Sequence, residues 1–174
     1  MKATGVVRRI DRLGRIVVPK EIRKVLQIHE GSAIEFFVDD KNQIILKKFS
    51  RVKEENKNIK AKCSLLEELL HVNVFFYAEE AIVETGNDEN SHWLDENLST
   101  SFLKTMEVYR ETGFADVQIF SNNASTYQGS IVPVILDGEF FGAFVVLKSL
   151  SEIKESDLQQ VQLICKLLEK ELTQ

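Results

Sequence analysis

The chain has 174 residues, 44% of them hydrophobic, which is enough for one ordinary domain or two small ones and is typical of a globular protein. No stretch approaches the roughly 18 consecutive apolar residues of a membrane span, and residues 1–4 lack the apolar run of a signal peptide, so we expect a cytoplasmic protein. The two cysteines, Cys63 and Cys165, are too few for a disulfide framework or a four-ligand zinc site, and both are interpreted as core residues.

The net charge of −5 is the sum of two very different parts of the chain. Up to Lys53 there are 13 lysines and arginines against 6 aspartates and glutamates, and after it there are 9 against 21. The first part therefore carries +7 and the second −12. Because a basic segment attracts polyanions and an acidic one repels them, this division predicts two domains, residues 1–53 and 54–174, and a nucleic acid as the partner of the first.

The first domain begins with a strand pattern over residues 4–10, followed by a turn at 11–14 and a second strand at 15–18. Pro19 ends that strand and, because proline is tolerated in the first turn of a helix, also opens a short helix over residues 20–27.

Two more strands complete this domain, at residues 34–38 and 43–48, joined by a polar turn at 39–42. A domain of about fifty residues buries too little apolar surface to be stable alone, and this one contains neither cysteines nor metal ligands. It nevertheless carries many apolar strand residues: Val6, Ile10, Ile16, Val18, Ile34, Phe36, Val38, Ile44 and Leu46. We therefore predict a homodimer through residues 1–53 in which the hairpins of two chains interleave.

The second domain is predicted to start with a helix that runs to about Leu70. Its apolar positions are spaced 4, 3, 4 like a coiled-coil seam, with Leu65 and Leu69 widening it; the seam is Ile59, Cys63, Leu66 and Leu70. Strands are predicted at residues 72–78 and 82–85. A polar loop around 86–90 follows them.

A helix is predicted from about Thr100 to Gly113, whose glycine suits the left-handed residue after a helix, and then a strand at 117–120. Asp137-Gly138 separates the apolar runs 131–136 and 139–147, which is a strong signal for a hairpin. The last helix, starting between Ser151 and Ser156, has a second seam: Leu158, Val161, Cys165, Leu168 and Leu172. The two seams predict that the second domains also pair, which would give a homotetramer.

Six basic residues of the first domain are candidates for contacts with DNA. Guanidinium groups suit phosphate oxygens and guanine edges, whereas ammonium groups mostly supply charge. The candidates are Arg8, Arg9, Arg12, Arg15, Arg23 and Lys24. A solvated basic face is the alternative for any one of them, but the scarcity of acidic residues between them favours binding of a nucleic acid by the group.

The run MKATGVVRRIDRLGRIVVPKEIR, residues 1–23, closely resembles the swapped-hairpin DNA-binding domain of the AbrB family of bacterial transition-state regulators. The resemblance continues through residues 35–39 and 45–49. With about 120 further residues after this domain, the whole chain is similar to a sporulation regulator of that family. The resemblance implies a swapped-hairpin β-barrel formed by a dimer. It also implies a transcription regulator of sporulation genes, associated with the nucleoid.

Carried over by position, the family's DNA-contacting arginines correspond to Arg8, Arg15 and Arg23, and Lys24 stands where a second helical arginine is common. Arg9 and Arg12 add to this set. Arg12 departs from the family, whose members often carry an acidic residue there, and it either extends the contact surface or alters only the charge of the turn. The resemblance further implies that DNA shape and flexibility are read more than a strict base code.

The second domain resembles a GAF domain, an antiparallel sheet flanked by helices that binds small molecules in some proteins and only dimerises in others. Eight aromatic residues either line a pocket there or, as is more usual in such patterns, form plain core: Phe75, Tyr77, Trp93, Phe102, Tyr109, Phe120, Tyr127 and Phe144. No ligand-binding residue is assigned. The fold class expected for the whole chain is α+β.

No catalytic residue, metal ligand or cofactor is predicted, and we do not expect an enzyme. The histidines, His29, His71 and His92, have no second histidine or cysteine at ligand spacing. Adjacent carboxylates such as Glu79-Glu80 point apart and fit solvated loops better than an acid–base pair. Two other functions stay open: an antitoxin-like protein that binds a protein partner, and a ligand sensor that controls DNA binding.

Overall fold

The computed structural model describes residues 5–25, 28, 30, 32–107, 110–148 and 152–173, without the side chains of Lys48 and Arg51. The chain divides into two compact units, Met1–Ser50 and Arg51–Gln174, which we call the N-terminal and the C-terminal unit. Helices and strands are mixed in both. No helix in the described ranges is long and apolar enough to cross a membrane.

In the N-terminal unit the elements are helix α1, Lys20–Val25, and the strands β1, Ile34–Val38, and β2, Ile44–Lys48. The two strands pair antiparallel, with Val38 opposite Ile44. Both strands agree with the sequence prediction. Residues 26 and 27, the predicted end of the helix, lie outside the described residues.

The strands predicted at residues 4–10 and 15–18 are not formed in the single chain. Residues 5–18 have no strand assignment and run as irregular backbone on either side of a turn; Thr4 lies outside the described residues. A strand exists only where its N–H and C=O groups meet those of a neighbouring strand. None of the strand pairs among the described residues includes residues 5–18.

The C-terminal unit is a five-stranded antiparallel sheet with helices on both faces. Its strands are β3, Asn73–Ala78; β4, Ala81–Thr85; β5, Thr112–Gln118; β6, Thr126–Leu136; and β7, Glu139–Leu147. Its helices are α2, Arg51–Glu54; α3, Asn56–Leu70; a 3-10 helix, Asp88–Asp95; α4, Thr100–Met106; and α5, Glu155–Leu172. The strand order is β4-β3-β7-β6-β5.

The hairpin predicted around Asp137-Gly138 is confirmed. Leu136 pairs with Glu139, and the two turn residues have φ of 53° and 83°. Both positive values fit the two-residue hairpin turn that aspartate and glycine favour.

The prediction of a helix from Thr100 to Gly113 is wrong at its end. Helix α4 stops at Met106, and Gly113 lies in β5, where it pairs with Ser130 of β6. The strand also starts five residues earlier than the predicted 117–120, while Phe120 makes only an isolated bridge to Leu98. A glycine ends helices and also suits strands packed closely against others, so local sequence did not distinguish the two uses.

Both faces of the sheet are filled by side chains. Helices α3 and α5 cover one face, and the two seams predicted for pairing between chains instead lie in this core: Ile59, Cys63, Leu66, Leu70, Val161, Cys165 and Leu168 are buried, with Leu158 and Leu172 packed beside them. The 3-10 helix and α4 cover the other face. The aromatic core there contains Phe75, Tyr77, Trp93, Phe102 and Phe120, with Tyr127 beside it.

The interpretation of the aromatic residues as core residues is thereby confirmed for the six that lie in or beside this aromatic core. Phe144 lies in the core under α3 and α5, and Tyr109 lies outside the described residues. Edge-to-face ring contacts, for example between Phe75 and Trp93 at 6.0 Å, fill the space beneath the 3-10 helix.

The two buried cysteines are expected to be chemically inert in the folded chain. Burial raises the pKa of Cys63 well above its ordinary value and that of Cys165 to about 12. Because the thiolate is the reactive form, both thiols stay protonated and unreactive at neutral pH. We expect an aromatic disulfide reagent to label neither cysteine before denaturant is added and both afterwards. Stoichiometric labelling of the native chain would contradict the buried placement.

Candidate nucleic-acid interface

The turn at residues 11–14 is organised by the side chain of Asp11. Its Oδ1 accepts hydrogen bonds from the backbone N–H of Leu13 and of Arg15, both at 2.9 Å. The Arg15 Nε donates to Oδ2 at 2.7 Å. Gly14 takes the left-handed conformation, with φ of 77°, and its N–H donates to the Asp11 carbonyl at 3.0 Å. One carboxylate thus fixes both the turn and the position of the Arg15 guanidinium.

A second turn, at residues 39–42, has the same geometry. Asp39 Oδ1 accepts from the N–H of Lys41 and of Gln43, both at 2.9 Å, and Asn42 is left-handed with φ of 57°. The Asp39 N–H donates to the Gln43 carbonyl at 3.1 Å, as that of Asp11 does to the Arg15 carbonyl at the same distance. This second turn connects the paired strands β1 and β2.

The matching turns indicate how residues 5–18 are built. Three-residue hairpin loops combine a type I turn with a left-handed residue, which is what residues 11–14 and 39–42 contain. The turn at residues 39–42 joins two strands that pair with each other. By analogy, residues 5–10 and 15–18, which flank the turn at 11–14, have the form of the two arms of a hairpin, although they are not paired as strands. The sequence prediction of a hairpin here is therefore supported at its turn, although its strands are absent from the monomer.

Helix α1 carries Arg23 and Lys24 in its last turn and Glu21 in its first. Its start is fixed by Pro19, whose carbonyl accepts from the Arg23 N–H at 2.9 Å. The charges match the helix dipole, since cations stabilise the C-terminal end. No residue of this helix is buried, so both cationic side chains are exposed to solvent.

All six predicted DNA contacts are exposed. Arg8 and Arg9 lie in the segment before the first turn, Arg12 lies in the turn, and Arg15 follows it. Only Arg15 forms an ion pair among the described residues, with Asp11, and 71% of its side-chain surface still faces solvent. Arg8 donates to the carbonyl of its neighbour Val7 at 3.0 Å.

The structure thus brings Arg12 and Arg15 together at one turn, and Arg23 and Lys24 together at one helix end. No hydrogen bond or ion pair in the described part of the unit joins the helix pair to the turn. Between residues 5 and 25 there are seven basic and two acidic side chains, and one of the two acids is Asp11 itself. The surface is accordingly a strongly positive one.

Sequence analysis missed the role of Asp11, which it treated only as a turn residue. The hydrogen bonds from the backbone N–H and the guanidinium of Arg15 lower the pKa of the Asp11 carboxyl. It therefore remains charged at neutral pH and keeps the arginine in place. The repeated spacing of aspartate, then glycine or asparagine three residues on, was the available signal.

An apolar surface lies beside the basic one. Val7 is 83% exposed, Val17 72% and Val25 81%, and the paired strands add Phe36 at 67% and Val38 at 72%. Small monomeric proteins rarely leave so many large apolar side chains in water within fifty residues. Exposure on this scale is typical of surfaces that bind another molecule.

Comparison with known proteins points to the same segment. The profile of the family described as "Antidote-toxin recognition MazE, bacterial antitoxin" matches residues 7–55. The transition state regulatory protein AbrB of Bacillus subtilis (strain 168) is 55% identical over 49 residues, which are 28% of this chain and 50% of AbrB.

A second relative matches from end to end. Stage V sporulation protein T of Bacillus subtilis (strain 168) is 30% identical over 180 aligned residues that cover all of both chains. Among solved structures, the GAF domain of the nutrient sensor CodY from Clostridium difficile is similar in fold, with a TM-score of 0.50 at 13% identity. That alignment covers 88% of this chain and 94% of the other. The expected GAF-like architecture is therefore confirmed as a fold.

Proposed function

The chain belongs to the family of stage V sporulation protein T, and from that premise we propose that it is a DNA-binding transcription regulator of sporulation genes that acts as a homo-oligomer. The observation that carries the proposal is the exposed basic surface around the Asp11 turn and the end of α1. This surface lies inside residues 7–55, the segment that the family profile matches.

Duplex DNA is the partner that the chemistry of this surface fits. We assign contacts with DNA to Arg8, Arg9, Arg12, Arg15, Arg23 and Lys24, whose side chains are exposed and, Arg15 apart, free of ion pairs among the described residues. Lysine and arginine contacts to phosphates position a protein on the duplex, while the planar guanidinium can also read base edges. The Asp11 carboxylate orients Arg15 before DNA arrives, which reduces the entropy lost on binding.

The N-terminal unit works as a homodimer in the proposed function. Residues 5–18 carry a strand pattern but have no strand assignment, and the large apolar side chains beside them are exposed in the single chain. Interleaving the hairpins of two copies as a swapped-hairpin β-barrel supplies the missing backbone partners and covers those side chains in one step. Burial of apolar surface, worth about 25 cal/mol per Å², then favours the dimer.

The C-terminal unit is proposed to join two such dimers into a tetramer. Its predicted helical seams are used in its own core, so a different set of residues is needed. That set is an exposed leucine stripe on α3 and α5, which pack together on one face of the sheet: Leu65, Leu69, Leu163 and Leu167. Leucines four residues apart share one face of a helix, so each helix contributes a pair to this surface.

Placing glutamate on the leucine stripe is expected to halve the number of chains in the assembly, from four to two. In the double variant Leu163→Glu/Leu167→Glu, four helices would have to bury uncompensated carboxylates, so we expect the dimer of the N-terminal unit to persist and the tetramer to be lost. Light scattering during gel filtration measures the mass. Leu94→Glu, which changes a partly exposed leucine in the 3-10 helix on the other face of the sheet, is the matched control and should leave the mass unchanged.

The proposed function is tested by mapping the DNA that the chain occupies in its own cells. Immunoprecipitation after crosslinking should enrich promoter regions of genes expressed during sporulation, and the enrichment should disappear when Arg8 and Arg23 are replaced by alanine. Recovery of DNA no different from the input sample would overturn the proposal.

An antitoxin role is the second candidate, because the family profile that matches residues 7–55 carries that description. The folded C-terminal unit of residues 51–174 argues against this role. An antitoxin would instead carry a short segment that wraps the toxin at that place in the chain. Copurification of a stoichiometric small protein from the native host would favour the antitoxin role. The relative that matches the whole chain is named as a sporulation protein, and AbrB is named as a regulatory protein, which favours the regulator.

A further inference from the structure

One carboxylate lies in the middle of the basic surface. Seven side chains between residues 5 and 25 are basic, and the two acidic ones are Asp11 and Glu21. Asp11 lies at the turn that brings Arg12 and Arg15 together, and its lowered pKa keeps it ionised at neutral pH. A negative charge here weakens the attraction of phosphates, because like charges repel. The carboxylate is therefore expected to have a role other than phosphate binding.

Closure of the turn explains only part of what Asp11 does. The turn at residues 39–42 closes with the same backbone bonds to its aspartate, but Gln43 stands where the first turn has Arg15. Among the described residues, no hydrogen bond joins the side chains of Asp39 and Gln43. The bond from Arg15 Nε to Asp11 Oδ2, at 2.7 Å, is therefore not needed to close a turn of this kind. Exposed ion pairs also add little to stability, so the bond has its main effect on the arginine.

The bond fixes the Arg15 guanidinium and leaves most of its donors free. The backbone N–H groups of Leu13 and Arg15 hold Oδ1 of Asp11, so Oδ2 accepts the Nε–H from a fixed position. A guanidinium also carries N–H donors on both Nη atoms, and within the described residues these make no hydrogen bond. The side chain is 71% exposed. Arg15 thus presents a planar fork of donors to solvent in one orientation.

The ion pair determines which groups of DNA this fork suits. Phosphates and narrow minor grooves attract arginine mainly through its charge, and the charge of Arg15 is already balanced by Asp11 at 2.7 Å. Base edges are uncharged and are recognised by their pattern of hydrogen-bond donors and acceptors. In the major groove guanine presents two adjacent acceptors, O6 and N7, whereas adenine and cytosine present a donor and thymine a single acceptor. A fork that only donates therefore matches guanine.

We propose that Arg15 reads guanine in the major groove and that Asp11 is the positioning residue that orients it. The Nη–H donors bind O6 and N7 of one guanine, while the other basic residues of the surface contact phosphates. One guanine per chain is then the base-specific element of a site that is otherwise recognised by shape and charge. This assignment rests on the proposed function as a DNA-binding regulator and specifies which basic residue gives the preference for sequence.

Replacement of guanine by 7-deazaguanine tests the assignment without any change to the protein. The analogue has C–H in place of N7 and keeps base pairing and charge, so it removes one of the two acceptors. In anisotropy titrations of the full-length chain with a sporulation promoter duplex, we expect the substituted duplex to bind about tenfold or more weakly than the unmodified one. Equal affinity would overturn the guanine assignment and leave the regulatory function standing. Binding of neither duplex would contradict that function itself, and the assignment with it.

Variants of the two matched turns separate positioning from folding. In Asp11→Asn the amide oxygen still accepts the backbone bonds of the turn, but the amide nitrogen cannot accept from Arg15. We expect this variant to lose the preference for unmodified guanine. Its salt slope should be about 1.8 steeper, because each dimer gains two arginines that can pair with phosphates. Asp39→Asn removes the same charge from the other turn and should keep the preference, whereas a preference retained by Asp11→Asn would overturn the positioning role.

Two alanine variants compare the arginine that is paired with Asp11 with the other arginine of the same turn. We expect Arg15→Ala to bind the two duplexes with equal affinity. Arg12→Ala should weaken the binding of both by the same factor, because only the first variant removes the guanine contact. A preference for unmodified guanine that survives in Arg15→Ala would assign that arginine to phosphates and overturn the proposal.

Discussion

The double variant Arg8→Ala/Arg23→Ala is expected to bind duplex DNA at least about 100-fold more weakly than the parent chain while remaining a dimer. Each homodimer loses four guanidinium groups, and even two charge-assisted hydrogen bonds of about 1.5 kcal/mol each account for a loss of roughly this size. Both side chains are exposed, and neither takes part in the apolar surface that we assign to dimerisation. The stability of the dimer should therefore be unaffected.

The dependence on salt gives a second, independent measure of the same contacts. If the dimer neutralises about eight phosphates, log affinity falls with log salt at a slope of about −7. Removal of four contacts should reduce that slope to about −3.6. Fluorescence anisotropy with a labelled promoter duplex measures both quantities. Lys57→Ala, which removes an exposed lysine from α3, is the control, and equal slopes for the parent and the arginine variant would contradict the assignment.

The Gly129→Ala variant is expected to destabilise the C-terminal unit by about 3 kcal/mol or more, the range typical of severe backbone clashes. Gly129 lies in β6 next to β7, and a methyl group on it would overlap the Val146 carbonyl oxygen. It would also lie 3.1 Å from the carbonyl carbon of Val146 and 3.2 Å from the Cα of Leu147. All of these are backbone atoms of the central part of the sheet, which cannot move without breaking its ladder.

Urea unfolding followed by fluorescence measures this loss, because Trp93 is the one tryptophan of the sequence and is buried in the C-terminal unit. The control is Gly138→Ala, where an added methyl group meets open space and only the positive φ is strained. We expect that change to cost about 1 kcal/mol. Similar losses for the two glycines would mean that the approach of β6 to β7 is looser than described.

Local sequence predicted the elements whose signals are local. The Asp137-Gly138 turn defines its own hairpin, and the 3.6-residue periodicity of α3 identified the side that is buried. The periodicity did not reveal what covers that side, because a sheet and a second coiled-coil helix both accept the same stripe of apolar residues. Residues 59–70 therefore pack inside their own unit, and other leucines are left on the surface.

The error at Gly113 has a different cause. The pairing of that residue with Ser130, seventeen positions later, decides that it is part of a strand, and such a contact leaves no mark in the local pattern. The strands at 5–10 and 15–18 show the opposite case. Their alternating pattern is clear, but residues 5–10 and 15–18 have no strand assignment in the single chain.

The features of the candidate site also differ in whether the sequence alone could predict them. Composition alone located the basic surface, because its six cationic residues lie within seventeen positions of one another. The positioning role of Asp11 required the measured hydrogen bonds of the turn.

If the N-terminal unit forms the proposed homodimer, its exposed apolar surface makes the folding of that unit depend on mass action. A unit that acquires its core only from a second copy has a midpoint of unfolding that rises with protein concentration. If the leucine stripe holds chains together, it raises the effective concentration of the basic units near one another. The acidic C-terminal part of the chain would then favour folding of the basic N-terminal part. The concentration of the protein in the cell would determine how much of the folded DNA-binding dimer is present.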